Sequence, residues 1–305
     1  MDINILKERF EGTCYVCEYC NGKACAGIIP GMGGREDNGA FIRNVHDLDE
    51  FSLDKNIYFS KEYDFFGKKI KSPVIIAPIT GADENFGAYL SEDEYCHMIA
   101  NASKKVGNIA VFGDGVEEYK FMSGIYAAKR FNLKAVFMIK PWKDLDVFER
   151  KIRLAENAGA IAVGCDIDSA TLPNMTNKNA KIEVIKLEKL KKIISISSLP
   201  FIVKGVMDIE HAEMSYNAGA SAIVISNHGG RIDSTLPSSI SVLSKIARKY
   251  SEKLCIMADS GIRKREHVLK MLSAGAEFVM VGRPLIIGAV KNGSKGIADA
   301  LQNLN

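Results

Sequence analysis

Asn217-Ala218-Gly219-Ala220-Ser221-Ala222-Ile223-Val224-Ile225-Ser226-Asn227-His228-Gly229-Gly230-Arg231 holds one complete joint of the fold together with the densest chemistry in the chain. Asn-Ala-Gly-Ala closes a helix: a glycine just past the last helical turn takes the left-handed conformation and sends the chain into a strand. Ala222 to Ile225 is apolar and β-branched without polar alternation, which marks a strand buried on both faces. At its exit a His and an Arg three residues apart flank a glycine pair, where the backbone can turn sharply and come close to a ligand. An imidazole can take a proton, and a guanidinium can hold a carboxylate through two parallel bonds. Asn-His-Gly-Gly also suits an ordinary turn, so the flanking context decides between turn and site.

The joint recurs as Asn157-Ala158-Gly159-Ala160 and Ser273-Ala274-Gly275-Ala276. Short apolar runs stand near 73–77, 108–112, 135–139, 160–165, 200–204, 221–226, 254–258 and 277–281, eight in all. Each precedes a segment of helical period, as in Glu183 to Ile196 or Lys264 to Ser273. Eight such alternations predict an α/β protein whose parallel strands close into a (β/α)8 TIM barrel, with an open doubly wound sheet as the alternative. No G-x-G-x-x-G follows the first run, which counts against a dinucleotide-binding domain. Upstream, residues 41–56 read as a helix, and Ile57 to Phe59 with Phe65 to Ile70 read as a hairpin around Gly67-Lys68. Tyr58, Phe59, Phe65 and Phe66 are expected to plug the barrel's bottom. Residues 1–40 stand apart as a Cys-rich extension before a barrel domain over 41–305.

Composition narrows the function. The chain has 305 residues, 47% of them apolar, enough for one large barrel. Its 40 basic and 37 acidic residues are interspersed, which argues against nucleic acid as a partner. No apolar run reaches membrane-spanning length, and the N-terminus lacks a signal-peptide layout, so a cytoplasmic protein with reduced cysteines is expected. Cys14, Cys17, Cys20 and Cys25 form a C-x2-C-x2-C-x4-C run that suits Zn2+ or an iron–sulfur cluster, free thiols being the alternative. Cys96, Cys165 and Cys255 read as small core residues.

Barrel chemistry gathers at the carboxyl ends of the strands. In order, those ends carry Thr80-Gly81, Gly113-Asp114, Lys140 with Trp142, Asp166 with Asp168, and Lys204. His228 with Arg231, Asp259-Ser260-Gly261 with Arg263, and Gly282-Arg283 complete the set. The last two ends predict a phosphate site of glycine backbone, a helix N-terminus and guanidinium groups. A lysine inside Phe-Ile-Val-Lys-Gly-Val must be paired or face a ligand. Trp142 suits either the substrate mouth or the core, and His97, His211 and His267 lie in helical segments away from the strand ends.

From about Phe41 to Leu304 the chain resembles the FMN-dependent α-hydroxy-acid oxidase/dehydrogenase family, the lactate- and glycolate-oxidising flavoenzymes. The resemblance is carried by Pro200-Phe-Ile-Val-Lys-Gly-Val-Met207, Ser226-Asn-His-Gly-Gly-Arg231, Ala258-Asp-Ser-Gly-Ile-Arg263 and Gly282-Arg283-Pro284. It implies FMN as cofactor and oxidation of a small 2-hydroxy acid to the 2-keto acid, with O2 or an electron carrier as acceptor, in a homo-oligomer. His228 would be the base, Arg231 would bind the carboxylate, and Asp166 would pair with His228. Lys204 would lie at the flavin's N1/O2 edge, and the backbone of Ala77, Pro78 and Ile79 would line its N5 side. Asp259, Gly261, Arg263, Gly282 and Arg283 would hold the ribityl phosphate.

The chain also departs from that pattern. Pro30-Gly-Met-Gly-Gly34 has no tyrosine where the family places one, and a second substrate tyrosine falls on Lys140, which could hold a carboxylate as a point charge. The family's glutamine falls on Met138, a flavin-binding Ser or Thr falls on Phe112, and no arginine stands in the short Leu172-Pro173-Asn174 segment. Two other functions compete: an FMN-dependent isomerase of the type 2 isopentenyl-diphosphate kind, and a flavin or metal electron-transfer module without hydroxy-acid turnover.

Overall fold

The computed structural model describes residues 39–53, 57–85, 90–176 and 178–305. The cysteine cluster at 14–25 lies outside the described residues. A short antiparallel hairpin of β1 (Tyr63–Phe65) and β2 (Lys68–Ile70) precedes eight parallel strands. These are β3 (Val74–Ile76), β4 (Ala110–Phe112), β5 (Ala135–Ile139), β6 (Ala162–Asp166), β7 (Phe201–Val206), β8 (Ala222–Ile225), β9 (Cys255–Ala258) and β10 (Phe278–Val281). Their order is β3-β10-β9-β8-β7-β6-β5-β4, and each of the eight runs read from the sequence overlaps one of them, with β6 and β7 extending beyond theirs at the carboxyl end.

At the seam β3 and β4 lie side by side without a backbone ladder, and the buried Asn108 spans it by donating to Val74 O at 2.8 Å. The eight-stranded sheet is thus a nearly closed barrel ringed by helices. Gly159, Gly219 and Gly275, the glycines of the repeated joint, have φ of 83°, 90° and 109°, the left-handed value a helix-to-strand turn demands.

Alternation along the strands divides the core. Ile76, Phe112, Phe137, Val163, Val203, Ile225 and Val281 face the helices, while Ile75, Val111, Val136, Met138, Ile202, Val224 and Met280 fill the barrel. Phe112, which stands where the family has a Ser or Thr, therefore packs outward, beside Phe137 and over Gly124. The hairpin plugs one end through Phe65, whose ring meets Phe278 edge-on at 5.0 Å. Of the other aromatics expected there, Phe66 joins the plug, but Phe59 packs on the helix side and Tyr58 is 78% exposed. Among the described residues the first helix is Gly39–Glu50, and the hairpin strands begin at Tyr63 rather than at Ile57. Among the described residues no helix is long and apolar enough to cross a membrane.

Candidate active site

The inward-facing residue at each strand exit is polar or small where the layers below are apolar. Strand register explains the meeting. Asp166 is paired with Lys204, and Ile139 is paired with Cys165, so Lys140 emerges on the other side of Asp166. Lys140 Nζ and Lys204 Nζ donate to the two oxygens of Asp166 at 2.8 and 2.9 Å. All three side chains are buried. Burial alone would push the Asp166 carboxyl up, but Lys140 and Lys204 outweigh it and hold the group well below the usual carboxylate range. Burial would likewise lower the Lys204 ammonium, yet Asp166, Asp168 and Asp259 keep it above its ordinary value.

His228 follows β8 in a turn where His228, Gly229 and Gly230 all have positive φ, of 58°, 68° and 85°. Side chains hold this turn from three sides. Gly229 N donates to Ser260 Oγ at 3.0 Å, and Gly230 N donates to Asn227 Oδ1 at 3.0 Å. Asn227 and Asn44, both buried, exchange amide bonds of 2.8 and 3.0 Å, tying the turn to helix Gly39–Glu50. A Cβ on Gly230 would lie 2.4 Å from Phe41 N, so only glycine lets that helix come so close.

Asp166 and His228, the expected pair, lie at the limit of ion-pair reach. Asp166 spends both oxygens on the lysines and comes no nearer than 4.0 Å to His228 Nε2. Asp168, in the 3-10 turn Ile167–Thr171, approaches His228 Nδ1 with both oxygens at 3.2 Å. Burial and then Lys204 push the imidazole below its ordinary value of 6.5, against the upward pull of Asp168 and Asp166. The ring, 16% exposed, is therefore a neutral proton acceptor at neutral pH.

His228 and Arg231 line one cleft together with Lys140, Lys204 and Asp259, between walls that enclose about 1120 Å3 including its open mouth. Ala77, Pro78 and Ile79 form one wall. At the β9 and β10 exits Gly261, Arg263, Gly282 and Arg283 form one end of it. The Arg263 and Arg283 guanidinium groups lie over the Phe41 ring at 5.5 and 4.6 Å, and Arg283 Nη2 also donates to Gly229 O at 3.0 Å. Gly282 leads into a helix whose N-terminus has no side-chain cap, and a Cβ there would come within 3.0 Å of Ile79. Two guanidinium groups beside an uncapped helix start suit a phosphate dianion. An elongated phosphate-bearing cofactor such as FMN fits this donor set.

Val116, Met175 and Lys151 escaped the sequence reading, and other residues named there find partners that it did not show. Leu172, Met175 and Val116 pack in one apolar cluster and line part of the cleft. Met138 fills the layer under Lys140: a Cβ on the register partner Gly164 would meet its sulfur at 2.6 Å. Asp114 is buried and accepts from Lys151 Nζ at 2.6 Å, Trp142 Nε1 at 2.7 Å, Gly115 N at 2.9 Å and Lys140 N at 3.1 Å. Trp142 is thereby anchored as a packing residue. Lys151, on a helix that reads as charged and exposed, is only 1% exposed. His267, read as surface or packing, is buried against Asp49 at 3.0 Å.

Glu92 was missed as well. It opens helix Glu92–Val106 and accepts from Gly81 N and Ala82 N at 2.8 and 2.7 Å, fixing the loop that lines the cleft after β3. Its other oxygen is buried without a hydrogen-bond partner among the described residues. Burial pushes the carboxyl from 4.5 up to about 7, against the two amides and with the Asp83 charge adding to it. A carboxyl raised on folding contributes stability that is complete below pH 4.5 and lost as pH rises through about 7. Glu92→Gln keeps an acceptor for both amides and cannot ionise. It is expected to exceed the wild type in urea-unfolding free energy at about pH 8, by at most about 3 kcal/mol, and to match it at about pH 4.

The comparisons with known proteins follow the same lines. Residues 176–305 match the family model described as FMN-dependent dehydrogenase. The chain is similar to an L-lactate oxidase of Lactobacillus jensenii, 34% identical over 232 residues that cover 75% of this chain and 52% of the relative. It is also similar to a 2-hydroxyacid oxidase of Dictyostelium discoideum, 30% identical over 277 residues that cover 79% of this chain and 68% of the relative. The chain thus spans about half the length of the first (52%). Among solved structures, a mandelate oxidase crystallised with 3,3-difluoro-2-hydroxy-3-phenylpropionic acid superposes with a TM-score of 0.78 at 22% identity, covering 99% of this chain and 91% of that one. At that identity the likeness speaks for the barrel fold.

Proposed function

Because the chain belongs to the FMN-dependent α-hydroxy-acid oxidase/dehydrogenase family, we propose that it oxidises a small 2-hydroxy acid to the 2-keto acid. The observation that carries the proposal is the convergence of His228 and Arg231 on the cleft that also holds Lys204 and the paired guanidinium groups. FMN, when bound, supplies the two-electron acceptor. Gly261, Arg263, Gly282 and Arg283 would hold its phosphate, and the backbone of Ala77, Pro78 and Ile79 would flank its rings.

The protein's own groups divide the remaining work. Arg231 binds and orients the substrate carboxylate, with Lys140 as a further positive charge at the cleft wall. Neutral His228 takes the proton released as the 2-hydroxy acid is oxidised. Lys204, buried and charged, stabilises negative charge that develops at the cleft floor. Leu172, Met175 and Val116 shed water from the mouth. The electrons leave to O2 or to an electron carrier. The zinc or iron–sulfur reading of Cys14, Cys17, Cys20 and Cys25 rests on their spacing alone.

The test is spectroscopic. FMN-loaded protein is mixed without oxygen with a panel of 2-hydroxy acids, and bleaching of the visible flavin bands by at least one of them is expected. A full panel that leaves the bands unchanged overturns the proposal.

A further inference from the structure

His267 is a buried histidine that the proposed reaction does not use. It is the third residue of helix Arg265–Ser273, after the β9 exit, and is 1% exposed. Its ring reaches back to the loop that enters the helix. Arg263 N donates to His267 Nδ1 at 3.2 Å, and His267 Nε2 faces Asp49 Oδ1 at 3.0 Å. A side chain at the third helical position that accepts a backbone N–H from the helix entry does the work usually given to Glu or Gln. Lys264, immediately before the helix, makes no side-chain cap of its own. An amide N–H can only donate and an ionised carboxylate can only accept. The neutral ring protonated on Nε2 is therefore the form that satisfies both neighbours.

The loop that His267 holds is the one that delivers Arg263 to the cleft. Ser260 and Gly261 both have positive φ, of 78° and 84°, a backbone that a serine keeps only when its surroundings hold it there. Helix Gly39–Glu50 packs on this loop: a Cβ on Gly261 would lie 2.5 Å from Asn44 O, and the Arg263 guanidinium lies over the Phe41 ring. Asp49 belongs to the same helix, so His267 ties the far end of the loop to it. The charges around the ring are Asp49 from that helix, Lys264 at the helix entry, and Glu266 and Lys270 from its own helix, which pair at 2.9 Å. Burial lowers the ring below its ordinary 6.5 with help from Lys264, against the upward pull of Asp49 and the Gly261 carbonyl.

We propose that His267 is a positioning residue for the cofactor phosphate: its neutral Nε2–H form, anchored on Asp49, holds the backbone of Arg263 where that guanidinium grips FMN, and protonation of the ring releases it. The proposal rests on the assignment of Arg263 to the phosphate given above and needs no turnover for its test.

The experiment titrates FMN-stripped protein with FMN, following flavin fluorescence between about pH 8 and about pH 5, where an imidazole changes charge. Wild type is compared with His267→Gln, His267→Leu and Arg263→Gln. Glutamine keeps an acceptor for Arg263 N and a donor for Asp49 but does not titrate. At about pH 7.5 His267→Gln should bind FMN within about twofold of the wild type, and His267→Leu about five- to tenfold more weakly, the scale of one lost hydrogen bond. As pH falls below 6.5 the wild type should lose affinity relative to His267→Gln, while protonation of the FMN phosphate is common to both and cancels in the ratio. In 15N-labelled protein the signals absent from His267→Gln should show the Nε2–H tautomer. A ratio that stays constant to about pH 5, an Nδ1–H tautomer, or a folded His267→Leu that binds like the wild type overturns the role of His267. If the leucine variant fails to fold, the ratio decides alone. Arg263→Gln binding FMN as tightly as the wild type overturns the phosphate assignment and this proposal with it. The expected affinities in a protein that oxidises no hydroxy acid instead keep the positioning role and remove the proposed reaction.

Discussion

His228→Ala is expected to slow anaerobic flavin reduction by the best 2-hydroxy acid about 10²- to 10⁴-fold, the usual contribution of a positioned base. The variant should still take up FMN, because the groups proposed for the phosphate lie at the β9 and β10 exits. The pH dependence has a definite sign. Only neutral imidazole accepts a proton, and burial with Lys204 lowers the point at which His228 becomes charged below 6.5. The acid limb of wild-type kcat/KM should therefore lie below pH 6.5, and the rate should be flat through neutral pH. Stopped-flow bleaching of the variant at the wild-type rate would remove His228 as the base.

Asp166→Asn is expected to cost about 3–5 kcal/mol of unfolding free energy, the scale of breaking a buried ion pair. The substitution leaves the Lys140 and Lys204 ammonium groups, 6% and 3% exposed, without the carboxylate they share. Asp259, at 3.8 Å from Lys204, offsets part of that loss. The wild type carries the corresponding pH signature. A carboxyl lowered on folding contributes stability that is full above its unfolded value near 3.8 and is lost as pH falls below it. Urea denaturation from about pH 7 down to about pH 3 should thus find this contribution intact until below about pH 4 in the wild type, and missing throughout in the variant. A variant within about 1 kcal/mol of the wild type would mean that the lysines find other counter-charges.

Strand count, barrel class and the residues at the strand exits were legible in the chain because each is a local property. Apolar runs such as Ala222–Ile225 show burial on both faces, and Gly159, Gly219 and Gly275 mark turns that need a left-handed residue whatever surrounds them. A strand exit in a barrel points at the site by topology, so Lys204, His228 and Arg231 could be placed from order alone. That Phe112 faces the helix layer beside Gly124 is a matter of strand face, which local reading does not resolve. The early hairpin strand at Ile57 failed because a short aromatic run carries no partner information.

What the sequence by itself determined was the set of groups delivered to the mouth of a (β/α)8 barrel and the family to which that set belongs. Which group bonds to which was decided by the tertiary structure. Asp166 and Asp168 are two residues apart and chemically identical. Register places the first between Lys140 and Lys204, and the bare Gly205 at a slipped pairing gives the second its seat against His228. The same is true of Asn44, Phe41, Lys151 and Glu92, whose roles come from partners distant in sequence. A buried charge or amide is stable only with its partner in place, and that partner is fixed by packing across strands and helices rather than by its neighbours along the chain.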